Sequence, residues 1–180
     1  MNTKILENLK TIDLKSINKK SFLMLTGSIL FCLFTLIIGK LAISEESLIW
    51  YGYLLKPVLP PDWLFQTIWV FLSLLTGTSL YFILKTENSV GKKPALMLFV
   101  SQLLLTALWI SVFFGLKSIE GGFAIIILLC ITLYITFYKF HKISIPAAIL
   151  LVPYLLWISY AVGLNLSFWM LNSQYMFNQF

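Results

Sequence analysis

Charge is what this chain lacks where a soluble protein would carry it. Five long apolar stretches, residues 22–43, 64–84, 95–116, 123–138 and 145–171, contain no Asp, Glu, Lys, Arg or His, apart from Lys40 close to the end of the first. A hydrocarbon core about 30 Å thick takes about 20 helical residues to cross, and each unsatisfied backbone amide inside it costs several kcal/mol. The stretches therefore predict an all-α membrane protein, a bundle of five transmembrane helices. The fourth is the shortest, yet a re-entrant hairpin in its place would strand residues 144–171 on the wrong side without any gain in burial.

The other scarcities exclude whole classes of activity. Ion pumps, proton relays and carriers of charged solutes place an ionisable side chain at membrane depth, and the interiors of these stretches offer none. The loops hold no glycine-rich phosphate cradle, paired carboxylates or Ser-His-Asp set, so hydrolytic and phosphoryl-transfer chemistry are set aside. Only two cysteines occur, Cys32 and Cys130, both in apolar segments; they read as small packing residues rather than a disulfide framework. The single histidine, His141, stands beside Lys139 and Lys142 with no second His or carboxylate at ligand spacing, and reads as an interfacial residue. No metal site is expected.

Arginine is absent too: all 13 basic residues are lysine. Ten of them, Lys4, Lys10, Lys15, Lys19, Lys20, Lys85, Lys92, Lys93, Lys139 and Lys142, fall on one side of a five-span topology, and Lys40, Lys56 and Lys117 fall on the other. The positive-inside rule then predicts a cytoplasmic N-terminus and a C-terminus on the far face. The net charge of +6 reads as topology and attraction to anionic lipid headgroups, with no nucleic-acid partner. Lysine without arginine, with abundant Ile and Asn, points to an AT-rich bacterial genome and so to a bacterial cell membrane. The expected organisation is a basic N-terminal arm over 1–21, one transmembrane domain over 22–172 and a tail over 173–180. The arm is compatible with an amphipathic helix on the membrane surface or a disordered basic tail.

What is present is aromatic. Gln102, Thr106, Trp109 and Phe113 follow one another at intervals of four, three and four, which places them on one helical face. Tyr154, Trp157, Ala161 and Asn165 repeat nearly the same spacing, as do Trp69, Ser73, Thr76 and Leu80. Gln102 and Asn165 should face the bundle interior, where another polar group or a ligand can satisfy them. The three faces predict a cavity walled by Trp and Tyr and floored by small residues. Trp63 and Trp169, nearer the span ends, fit an interfacial belt instead. Ser73 with Gly77, and Ala107 with Ser111, are small pairs that can seat helix on helix.

Between the first two spans, Pro57, Pro60 and Pro61 stiffen a loop that carries Trp50, Tyr51 and Tyr53, with Asp62 placed to cap the next helix. Such a loop suits a lid over the bundle mouth. Here the chain resembles the TspO/MBR family of tryptophan-rich sensory and translocator proteins, through Trp50, Tyr51, Leu54, Lys56, Pro57, Pro60, Pro61 and Trp69. The resemblance continues with Gly77, then Gln102, Leu103, Leu105, Trp109, Phe113, Phe114 and Gly115, then Pro153, Tyr154, Leu155, Trp157, Leu164, Asn165 and Trp169.

The resemblance implies a five-helix bundle, often a homodimer, whose cavity opens toward that loop. It implies binding of a tetrapyrrole such as protoporphyrin or haem, and of sterol or other lipids in some members. By matching positions, Tyr51, Trp69, Trp109, Trp157, Ala161 and Asn165 would line the cavity. Trp69 and Trp157 would be the electron or radical partners if the protein resembles bacterial members linked to light-dependent porphyrin breakdown. Departures from the pattern are a lid one residue shorter at Val58 and Leu59, Thr106 where Asn is common, Ala107 where animal forms carry an aromatic, and residues 125–127 where relatives carry a carboxylate.

From the residues alone, the ligand expected is flat, apolar and aromatic. Trp50, Tyr51, Trp69, Gln102, Thr106, Trp109, Phe113, Tyr154, Trp157, Ala161 and Asn165 would bind it, and Lys56 and Lys117 would attract an anionic edge. The function expected is a membrane tetrapyrrole-binding sensor or carrier; a photo-oxidative enzyme and a ligand-free assembly protein are the alternatives.

Overall fold

A computed structural model describes residues 19–87 and 90–177. The N-terminal arm, apart from its last residues, lies outside them. Among the described residues six α-helices follow in order: α1 (Lys19–Leu41), α2 (Glu45–Tyr53), α3 (Asp62–Lys85), α4 (Lys92–Ile110), α5 (Ile119–Ile143) and α6 (Ile145–Phe177). α4 continues into one wider π-helical turn, Ser111–Gly115. All but α2 are long and apolar enough to cross a membrane. The chain is an integral, multi-pass membrane protein.

The five spans close into a ring: α1 packs on α3 and α4, α3 on α6, α6 on α5, and α5 on α4. Outward faces stay apolar, with Phe34, Leu104, Leu128 and Leu156 exposed, as lipid requires and water would not tolerate. The interior divides along the bundle axis. At the lysine-rich end Phe99 stacks on Phe140 with centroids 5.7 Å apart, beside Ala147, Ala148 and Leu151. At the opposite end the buried cluster is built on Trp109, Phe113, Tyr154 and Phe168.

Three features differ from the expectation. The fourth span is longer, because α5 runs on through Lys139, His141 and Lys142 and starts at a cap where Ser118 Oγ accepts from the Gly121 amide. Charged residues in the first and last turns do not end a helix; they complement its dipole and reach the headgroups. The first loop also contains the helix α2, started by Ser44 and Ser47 capping one another. α3 begins directly after Pro61, which occupies the cap position expected for Asp62. Proline there sets φ at −54° and lacks an amide that the helix start would leave unpaired.

Close approach of α1 and α3 depends on Gly77. A Cβ at this position would lie 2.5 Å from the Ile29 Cα, which is backbone and cannot swing aside. Further along, the Ser79 hydroxyl donates to the Ala147 carbonyl at 2.7 Å and ties α3 to α6 inside the bundle.

Candidate ligand site

The aromatic face of α4 sits at the centre of the site. Trp109 stacks on Trp69 of α3 at 6.5 Å with planes 22° apart, and on Phe113, in the wider turn, at 5.6 Å and 26°. Tyr154 of α6 meets Trp69 edge-on at 6.4 Å. Trp50 and Tyr51 of α2 reach Phe113 from above at 5.8 Å and 6.4 Å, and Tyr51 lies 5.9 Å from Phe168. The result is a column of rings from the loop to the middle of the membrane, built by four elements remote in sequence.

Polar pins hold the column in register. The Trp109 indole N–H donates to Asn165 Oδ1 at 3.1 Å, while Asn165 Nδ2 donates to the Ala161 carbonyl at 2.9 Å. The Thr106 and Tyr154 hydroxyls lie 2.8 Å apart, with Thr106 also 2.8 Å from the Gln102 carbonyl. Since the Thr106 proton serves that carbonyl, the phenol of Tyr154 donates to Thr106. At membrane depth bulk water does not compete with these bonds, so they orient the rings as well as satisfy the polar groups.

The lid is fastened at both ends. At its start Lys117 Nζ lies 3.2 Å from Glu46 Oε2. At its end Asn172 bonds both main-chain groups of Leu55. Lys56 Nζ sits 4.7 Å above the Tyr51 ring, so a cation stands at the mouth. Tyr53, expected on the lid with Trp50 and Tyr51, is 84% exposed and is not part of the buried cluster of the column.

Four placements depart from the sequence reading. First, the rings do not wall a wide hollow: they touch one another, because six-membered and indole rings from facing helices are large enough to fill the space themselves. The cavity between the helices has room of only about 20 Å³, lined by Trp69, Thr106 and Tyr154. Second, Trp157 is outside the column. It packs edge-on against Phe65 at 5.6 Å and lines an open apolar groove of α3 and α6 with Ile68, Phe71, Pro153 and Tyr160. Third, Gln102 faces inward and is fully buried, but among the described residues neither of its amide atoms has a hydrogen-bond partner. Fourth, Trp169 is more than a belt residue: its N–H donates to Glu120 at 3.3 Å and its ring stacks on Phe123, joining α6 to the start of α5. Ala161 is buried in the column's cluster.

Phe65, Phe168 and Asn172 were not anticipated. Phe65 contacts both Trp69 and Trp157 and is the bridge between column and groove. Phe168 and Asn172 follow Asn165 at intervals of three and four, so extending the helical face by two more steps would have found them.

Comparison with known proteins agrees with this architecture. The family model "TspO/MBR family" matches residues 28–170. "Tryptophan-rich protein TspO" of Chlorobaculum tepidum is 38% identical over 159 residues, covering 85% of this chain and 98% of the relative. "Tryptophan-rich sensory protein" of Cereibacter sphaeroides is 33% identical over 129 residues, 68% of this chain and 77% of the relative. "Translocator protein" of Ovis aries is 33% identical over 138 residues, 75% of this chain and 82% of the relative. With the match spanning α1 to α6 and including the aromatic column and its polar pins, the chain belongs to the TspO/MBR family of membrane proteins.

Proposed function

We propose that this protein is a membrane tetrapyrrole-binding sensor or carrier, with protoporphyrin or haem as the ligand class. The observation that carries the reading is the stacked column Trp69, Trp109 and Phe113, pinned by Asn165 and covered by Trp50 and Tyr51. A flat macrocycle replaces ring-on-ring contacts with equivalent stacking and keeps the same apolar surroundings. Because the interior holds no cation, the carboxylate edge of such a guest points to the mouth, toward Lys56 and Lys117. Entry requires the lid to lift, which breaks the Glu46–Lys117 pair and the Asn172–Leu55 bonds. The lysine distribution supports a bacterial cell membrane with the N-terminus in the cytoplasm.

Protoporphyrin titrated against intrinsic tryptophan fluorescence tests the proposal. Saturable quenching is expected, with affinity about tenfold lower in Trp69→Leu, since a lost aromatic contact is worth about 0.5–1.5 kcal/mol beyond its area. A second reading, a membrane assembly or interaction protein that needs no guest, is favoured by one observation: the rings already fill the column, leaving a cavity of about 20 Å³. Failure of the folded protein to show any saturable quenching decides for that reading.

A further inference from the structure

The small cavity has its own chemistry. Ten residues of α1, α3, α4 and α6 line it, and seven of them bring polar atoms: Cys32, Thr35, Trp69, Ser73, Thr76, Thr106 and Tyr154. The hydroxyl protons can be traced one by one. Thr35 donates to the Phe31 carbonyl at 3.4 Å, Ser73 to the Trp69 carbonyl at 2.9 Å, Thr106 to the Gln102 carbonyl and Tyr154 to Thr106. Each of these oxygens keeps lone pairs free to accept. Thr76 is different. It is only 3% exposed, and among the described residues its hydroxyl makes no hydrogen bond.

We infer that this cavity is a binding site for one water molecule, which accepts from Thr76 and donates to the hydroxyl oxygens of the neighbouring helices. The size fits: a site needs about 10–15 Å³ of space measured for a water-sized sphere to hold one water, together with two to four polar partners, and this one has about 20 Å³. The donor count fits as well. A water brings two protons to a set of acceptors and two lone pairs to unspent donors, of which the Thr76 hydroxyl is the best-placed oxygen donor. Nothing apolar does this, and an alkyl group in the same space would leave the Thr76 hydroxyl unpaired at membrane depth. An ion fits worse, because the lining carries no charge to offset its desolvation. The bridge ties α3 to two of the facing helices beneath Trp69, so it sets the floor on which the aromatic column stands. It does not depend on whether a tetrapyrrole binds above it.

Two measurements on the full-length protein test this, neither using a tetrapyrrole. A crystal structure grown from lipid, at a resolution that shows ordered water, should contain a peak within hydrogen-bond distance of Thr76 Oγ1 and of at least one oxygen among Thr35, Ser73 and Tyr154. The Thr76→Val substitution keeps the side chain's shape, and its melting temperature in detergent should fall by several degrees. Were the hydroxyl simply unsatisfied, its replacement by a methyl would leave the melting temperature unchanged or raise it. No peak in the wild type, a peak belonging to a lipid or detergent atom, or an unchanged or raised melting temperature each overturns the proposal. The wild-type crystal structure decides by itself if the variant does not fold.

Discussion

Asn172 grips the main chain of Leu55 from both sides: its Nδ2 donates to the Leu55 carbonyl and its Oδ1 accepts from the Leu55 amide, each at 3.0 Å. One side chain at the end of the last span thereby fixes the loop that follows α2, 117 residues earlier in sequence. Its second amide proton goes to the Phe168 carbonyl at 2.8 Å, so the side chain has no freedom to swing. This is the arrangement a lid needs if it is to stay shut until something displaces it.

Asn172→Leu removes both bonds and leaves the Leu55 amide and carbonyl without partners. At about 1–3 kcal/mol for such a loss, deuterium exchange at the Leu55 amide should rise about tenfold or more, and bound protoporphyrin should dissociate faster by a similar factor. Exchange mass spectrometry of the segment around Leu55 and stopped-flow fluorescence measure the two. An amide that exchanges no faster would mean that the stiffness of Pro57 and Pro60, rather than Asn172, holds the loop.

Trp109 and Asn165 should behave as a unit. Trp109→Phe keeps most of the stacking on Trp69 and Phe113 but leaves Asn165 Oδ1 buried without its donor, at a cost of about 1–3 kcal/mol. Asn165→Leu leaves the indole N–H unpaired in turn. A double-mutant cycle by thermal unfolding in detergent should give a combined loss smaller than the sum of the two, since the second change removes the group the first had orphaned. Strict additivity would mean that the pair is not coupled.

Gly77 and Gly27 provide a matched contrast. Gly77→Ala places a methyl against the backbone of Ile29 and must separate α1 from α3, costing about 1–3 kcal/mol. Gly27→Ala meets nothing within 4 Å and should leave stability unchanged or slightly higher. Melting temperatures of the two variants in the same detergent check the difference. Equal effects would show that α1 does not depend on Gly77 to dock.

Light separates a binder from a photo-oxidative enzyme. Trp69 lies in the column and Trp157 at the outer groove, with Phe65 touching both. If the indoles react with photoexcited porphyrin, the Trp69→Phe, Trp157→Phe double variant should bleach bound protoporphyrin several-fold more slowly than the wild type. The asymmetry of the site adds that Trp69→Phe alone should account for most of the change. Bleaching at the wild-type rate in the double variant would discard the enzymatic reading.

Much of this was legible along the chain. The solvent, the number of spans and the inward faces of α3, α4 and α6 all follow from where charge is missing and from a period of 3.6 residues, both local properties. The spacing of Gln102, Thr106, Trp109 and Phe113 was enough to put them on one side of a helix. Trp157 shows the limit: it keeps the spacing of Tyr154 and Ala161 yet faces Phe65 and the groove. A helical face is about 100° wide, and its edge residues turn toward whichever neighbour the packing supplies.

What the sequence by itself determined, then, is a five-span bundle in lipid with aromatic inner faces, because hydrophobic length and helical period are written residue by residue. Only the tertiary structure decided that the rings touch rather than enclose a hollow, that Asn165 pins Trp109 and that Asn172 clamps Leu55. These depend on the distance and rotation between helices, which are set by close contacts such as Gly77 on Ile29 and by side-chain volumes summed across the whole ring.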